Sequence, residues 1–397
     1  MKNVVSVSLA DIAESIQYGY TASASKTEVG PKFLRITDIV PHQIDYLTVP
    51  YCEIDEKNFA KFSLASGDIV IARTGATVGY AKLIRNNEPS VFASYLVRIR
   101  IDSDKADSGY VGRVVESDLY KRFVRSRVGG AAQPNANAKV LSSFRLPLPK
   151  RSIQIRIASI LSTYDDLIEN NRRRIRLLEK AARLLYKEWF VHFRFPGHEC
   201  ITVTNGVPDG WKKEKVSAHV DFVRGVEPGS KNYMQVSDEM LVPFLRVGDF
   251  GNRISNIFID ATFAEGKMLK SEDVAITMDG TPGLVGFGMT GAFSSGIRKV
   301  VPKDNCGIGW SFIYTLLKSE SIQATVARFA KGTTILHASS SIDHMVFLQP
   351  HQGILGVFED VTGSLLRQVL LLDQQNRKLV KARDLLLPRL MNGAVTV

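Results

Sequence analysis

The chain has 397 residues, 45% of them hydrophobic, so two or three domains with sizeable cores are expected. Lys and Arg outnumber Asp and Glu to give a formal charge of +11 and a sequence pI near 9.4, a balance that favours an anionic partner. No uncharged apolar window is long enough to span a bilayer. Asp11 and Glu14 interrupt the place where a secretory signal would need its apolar core, and Cys52, Cys200 and Cys306 are too scattered for a disulfide or zinc framework. A reduced, cytoplasmic protein is the expectation, with no membrane partner.

Residues 1–150 read as a compact mixed domain. Phe33-Leu34-Arg35-Ile36 and Asp68-Ile69-Val70-Ile71-Ala72 have the look of short buried strands. Between Arg73 and Tyr80 runs a Gly-punctuated loop. Tyr95 to Arg100 alternates like a strand with one basic face, and Val114 to Val128 reads as one amphipathic helix. A polar loop from Gly129 to Lys139 precedes Leu146-Pro147-Leu148-Pro149.

Residues 151–205 form a long helix and a linker. Ile157, Leu161, Tyr164, Ile168, Ile175, Leu178, Ala182, Leu185 and Trp189 follow steps of four and three, the seam of a coiled coil, with polar Asn171 on it. The helix is expected to reach Phe195, before Pro196-Gly197, and at 1.5 Å per residue its seam spans ~50 Å. An exposed seam of this length needs a partner helix. That partner is residues 351–397, where Phe358, Leu365, Val369, Leu372, Leu379, Leu386 and Leu390 repeat the pattern with Asn376 on the seam. Thr362 and Arg383 also fall on it and are expected to weaken it.

The segment 206–350 restarts the pattern of the first domain. Phe244-Leu245-Arg246-Val247 echoes Phe33-Leu34-Arg35-Ile36, Asp279-Gly280-Thr281 echoes Thr74-Gly75-Ala76, and Phe293-Ser294-Ser295 echoes Phe92-Ala93-Ser94. The chain is thus a tandem duplication of domain and helix, an α+β architecture with a pseudo-two-fold. The second helix must return beside the first, so an antiparallel pair is expected, with a domain at each end and Asn171 opposite Asn376. A buried Asn pair costs stability and pins register.

Taken together, the two domains, their Leu-Pro-Leu-Pro or Leu348-Gln349-Pro350 closures, the loop Thr74-Gly75-Ala76-Thr77-Val78-Gly79, Gly210-Trp211 opening the second domain and Leu387-Pro388-Arg389-Leu390-Met391-Asn392-Gly393 resemble the specificity subunit of a Type I restriction–modification enzyme. The resemblance covers the whole length. It implies two target-recognition domains on an antiparallel coiled coil, reading a bipartite, asymmetric target in double-stranded DNA. It further implies recruitment of two methyltransferase subunits and two motor-nuclease subunits. S-adenosylmethionine, ATP and Mg would belong to those partners, with no cofactor in this chain.

The motif content agrees with a non-catalytic role. No Asn/Asp-Pro-Pro-Tyr/Phe amino-methyltransferase motif and no Gly-x-x-x-x-Gly-Lys-Ser/Thr phosphate loop occurs, and His198 with Cys200 makes no zinc site. Two other readings stay open at this point: a coiled-coil scaffold without DNA contact, and a cryptic DNA-modifying enzyme. Candidate DNA-binding residues in the first domain are Arg35, Arg73, Thr74, Thr77, Gln133, Asn135, Asn137 and Lys139. Those in the second are Arg246, Lys331, Thr333, Thr334, His337 and Ser339. Arg and Lys suit guanine or phosphate and Asn or Gln suits adenine, but turn chemistry selects Asn, Thr and Gly as well. Arg35 and Arg246, matched across the repeat, suit DNA contact or pairing with an Asp. Arg172, Arg173, Arg174 and Arg176 suit solvent or a partner subunit as well as DNA.

Overall fold

A computed structural model describes residues 5–41, 43–128, 134–235, 238–251, 253, 255–304, 306–333, 335–391 and 394–395. The architecture is α+β. Two compact units divide the chain: Met1–Ile168 with Arg377–Val397, and Glu169–Asn376. Among the described residues, no helix is long and apolar enough to cross a membrane.

The globular part of the first unit centres on a four-stranded antiparallel sheet in the order Ala13–Tyr18, Leu96–Ile101, Ile69–Ala72, Ala81–Leu83. Ile69–Ala72 is buried on both faces, which suits its β-branched run. Lys32–Leu34 pairs in parallel with Ser90–Phe92, and Val5–Ser8 pairs antiparallel with Arg145–Leu148. The second unit repeats this plan, with its smaller sheet extended to four strands. Its sheet order is Val220–Arg224, Ile297–Pro302, Val274–Thr277, Val285–Gly286. Leu241–Leu245 pairs in parallel with Gly291–Phe293, and Lys212–Lys215 closes antiparallel on Val346–Gln349.

Two expectations for the first domain need correction. The stretch Val114–Val128 is not one helix. It belongs to two, Ser108–Glu116 and Asp118–Arg127, broken where Ser117 is extended at ψ 161° and its hydroxyl donates to Val114 O. The second domain breaks the same way at Ser319, between Trp310–Leu317 and Glu320–Phe329. The basic face of Leu96–Ile101 is not free either. Half-buried Arg100 grips buried Asp68 through Nε and Nη2 at 2.9 and 3.1 Å, and buried Arg98 donates to Ser63 O and to Gln17. Both arginines are paired within the domain.

The first long helix runs Arg151–Tyr186, shorter than the expected reach to Phe195. It loosens into a π-turn over Lys187–Val191, and Phe193 turns the chain with φ +57°. The second runs Gln352–Met391. In the first unit Ile157 and Leu161 share a core with Leu387 and Leu390; in the second, Trp189 and Tyr186 pack on Phe358. Within each unit the two helices are therefore antiparallel. Asn171 Nδ2 donates to Asn376 Oδ1 at 3.1 Å, both residues being buried within the second unit.

The polar seam positions Thr362 and Arg383 each have a partner. Arg383 Nη1 donates to Asp165 Oδ1 at 2.6 Å. Thr362 Oγ1 donates to Phe358 O at 2.7 Å and lies 2.6 Å from Ser311 Oγ. The buried positions also shift by one from the heptad reading at four places, to Asp165 beside Tyr164, Tyr186 beside Leu185, Leu366 beside Leu365 and Leu387 beside Leu386.

Candidate nucleic-acid interface

In the first domain the loop after Ile69–Ala72 turns on Gly75 and Gly79, whose φ of +78° and +85° lie where a side chain is strained. Its chain is clasped by the segment 134–137. Gly75 N donates to Pro134 O at 2.9 Å, Ala136 N to Arg73 O at 2.8 Å, and Thr74 bridges to Asn135. The clasp sets Arg73 and Thr74 against the segment 134–137, at the start of the Ala138–Ser142 helix that carries Lys139. Asn135 and Lys139 are exposed, while Thr77 is half-buried in the turn. Asn137 Oδ1 is engaged as the cap of Ala138–Ser142, accepting from Val140 N at 2.9 Å. Gln133 lies outside the described residues.

Arg73 is held by an aromatic residue that the sequence does not single out. Its guanidinium carbon sits 4.8 Å from the ring centroid of Tyr18, and Tyr18 Oη accepts from Ala138 N at 2.9 Å. Among the described residues, Arg73 Nε is buried without a hydrogen-bond partner. A guanidinium stacked on a ring loses little freedom on meeting a base or phosphate, so this one is preorganised.

The second domain builds the same clasp from other side chains. Met278 N donates to Gly296 O, Ala338 N donates to Met278 O at 2.8 Å, and Asp279–Gly280 pairs with Leu336–His337. The Thr74–Asn135 bridge is thereby matched by Asp279 and His337, whose side chains meet with Nδ1 2.7 Å from Oδ1. The carboxylate accepting from Nδ1–H leaves His337 Nε2 as the outward acceptor. Lys331 and His337 exchange backbone hydrogen bonds of 3.0 and 2.8 Å across a turn at Gly332, and Lys331 and Thr333 are exposed. Thr334 lies outside the described residues. Ser339 Oγ accepts from Arg298 Nη2 at 3.0 Å. Burial lowers the Arg298 pKa, nearby Asp279 raises it and Arg224 lowers it again.

Arg35 and Arg246 stand apart from both clasps in role. Arg35 donates to Asp38 through Nε and Nη2, each at 3.0 Å, and Arg246 Nε donates to Asp249 at 3.3 Å. The hydrogen bonds to Asp38 raise the Arg35 pKa. Each Asp also accepts from the arginine's own N–H, so the pair fixes a one-turn helix start in both domains. Asn171 and Asn376 lie on the helices and bond to each other. Among the described residues, no three His, Cys, Asp or Glu side chains converge to hold a metal.

Comparison with known proteins gives the same picture. Residues 1–180 match the family described as Type I restriction modification DNA specificity domain. The chain is 25% identical over 91% of its length to the type I restriction enzyme MjaIX specificity subunit of Methanocaldococcus jannaschii, covering 85% of that protein. It is 22% identical over 70% of its length to the HindI specificity subunit of Haemophilus influenzae, covering 74% of that protein. The fold resembles the crystal structure of a Type-I restriction-modification system S subunit from M. genitalium, with TM-score 0.57, 14% identity, and coverage of 98% of this chain and 96% of that one. A duplicated clasp domain on paired helices thus stands beside a family match over residues 1–180, and the chain is similar along most of its length to type I restriction enzyme specificity subunits.

Proposed function

We propose that this chain reads a bipartite, asymmetric target in duplex DNA, one half-site per domain, as the non-catalytic subunit of its complex. The observation that carries the reading is the repeated clasp. One backbone arrangement is displayed twice, with Thr74 and Asn135 in the first domain where the second has Asp279 and His337. Conserved backbone with exchanged side chains is what two readers of different base sequence require. Arg73, Thr74, Asn135 and Lys139 are the contacts in the first domain, with Asn137 shaping the turn. Lys331, Thr333 and His337 serve the second, Ser339 being held by Arg298. The long helices carry two methyltransferase subunits and two motor-nuclease subunits, which supply S-adenosylmethionine, ATP and Mg chemistry.

The test is selection from a random-sequence duplex pool by the full chain with its methyltransferase subunits, repeated at rising salt. Two short base blocks separated by a spacer of fixed length are expected. Affinity should fall with a log–log slope of about −0.9 per phosphate contacted. One uninterrupted block, or none, contradicts the reading.

A further inference from the structure

The repeat can be aligned through backbone hydrogen bonds, and this alignment shows something the residue identities hide. Gly19 N donates to Leu96 O at 3.2 Å, and Gly225 N to Ile297 O at 3.3 Å. Tyr20 N donates to Phe92 O at 2.8 Å, and Val226 N to Phe293 O at 2.9 Å. A Cβ on Gly19 would meet Ala93 O at 2.2 Å, and one on Gly225 would meet Phe293 O at 2.1 Å, so both places admit only glycine for the same reason. Tyr18 therefore corresponds to Arg224, each ending its strand one residue before that glycine. Arg73 corresponds to Met278, since each sits between equivalent bonds to Tyr95 O or Gly296 O and to Ala136 N or Ala338 N.

At this paired position the first domain has a ring on the strand and an arginine on the loop. The second has an arginine on the strand and buried Met278 on the loop. The cation is present in both domains but has moved from one strand end to the other. Among the described residues Arg224 is exposed and no hydrogen bond or ion pair engages its guanidinium, unlike Arg246 on Asp249 or Arg298 on Ser339. It lies directly across the strand pair from Arg298, beside the His337–Asp279 clasp. Two arginines facing each other across a strand pair repel and cost stability. An incoming guanine edge or phosphate would relieve that repulsion, whereas a purely structural position gains nothing from it.

We infer that Arg224 is the base-reading arginine of the second domain, the counterpart of Arg73 on its Tyr18 platform; this rests on the reading proposed above. The test uses the full chain with its methyltransferase subunits, selecting from a random-sequence duplex pool, with Arg224→Ala, Arg224→Lys and Arg73→Ala as variants. Arg224 is exposed and its charge opposes that of Arg298, so Arg224→Ala should melt no lower than the wild type, and Arg224→Lys at the wild-type temperature. Arg224→Ala should relax base preference in one block only, by roughly five- to hundredfold at a single position. Arg73→Ala should do the same in the other block. Arg224→Lys should retain salt-dependent affinity without restoring the base preference, since an ammonium lacks the fork. Full restoration by Lys, an unchanged pattern in Arg224→Ala, or relaxation of the same block by both alanine variants would overturn the inference. A wild-type chain that enriches no sequence would instead remove the proposed function, and the inference with it.

Discussion

In the first unit, Arg85 and Arg113 of the globular domain and Arg383 of the C-terminal helix close on Asp165 of the first long helix, whose side chain is only 2% exposed. In the second unit the long helices are joined to the domain by rings. Phe190 and Phe358 lie 4.8 Å apart, Phe190 and Phe312 5.1 Å, and Trp189 and Phe358 5.6 Å. The backbone is duplicated and both copies bury apolar helix residues, yet the first adds a buried charge cluster where the second adds a cluster of rings. Each device also caps a helix from the side. Gln154 Oε1 accepts from Asp107 N at 2.8 Å, and the Glu359 carboxylate accepts from Ser311 N and Phe312 N, both at 3.2 Å. Duplication preserves where the chain goes; it leaves the chemistry of contact free to diverge, in the anchors as in the clasps.

The largest effects should come from removing one anchor at a time. Asp165→Ala leaves three arginines facing one another and should cost about 3–5 kcal/mol. Phe358→Ala should cost a similar ~3–5 kcal/mol through its cavity. Hydrogen exchange should separate them, with protection lost in Ser108–Arg127 for the first and in Trp310–Phe329 for the second. Loss in both regions from either variant would mean that the units do not unfold separately.

The two anchors should also part with pH. Burial would raise the Asp165 pKa, but Arg85, Arg113 and a hydrogen bond from Arg383 bring it below its ordinary 3.8. A carboxylate lowered on folding stabilises above its unfolded pKa, and that stability is lost as pH falls below ~3.8 toward the folded value. The difference in melting temperature between wild type and Asp165→Asn should thus shrink below pH 4. The difference for Phe358→Leu should stay level, since rings carry no proton there. Equal pH profiles would contradict a charge-held first unit.

Much of this division was legible beforehand. The seams follow from apolar spacing, because burial of a helix stripe is a local pattern; the duplication follows from repeated motifs and the antiparallel return from the order of domains and helices. Asp165 and Arg383 were not legible as partners. Arg383 looks like a seam defect in isolation and Asp165 like a charge beside the seam, and only tertiary pairing between residues 218 apart makes them a device. Tyr18 was missed for the same reason: its partner Arg73 lies across the sheet. Arg98 and Arg100 read only as a basic face, because alternation shows which residues share a face and not whether that face is covered.

A smaller effect is expected at the helix register. Asn171→Leu alone strands the buried Asn376 amide and should cost ~1–3 kcal/mol, while the double change to Leu should recover most of it. Additive losses in the double variant would mean that the hydrogen bond between them does not hold. Smallest of all, Arg35→Ala and Arg246→Ala should each cost only ~0.2–1 kcal/mol, as half-exposed ion pairs do. Both should leave the selected base blocks unchanged, and a changed block would return these arginines to the reading surface.

The central claim is that each domain reads its own half of one target. Replacing residues 1–150 with the first domain of a similar specificity subunit, then sequencing the methylated sites of cells carrying the hybrid with its partner subunits, tests it most directly. One half of the recognised sequence should change, and the other half should keep its bases. A hybrid that methylates a target altered in both halves would contradict the two-reader arrangement.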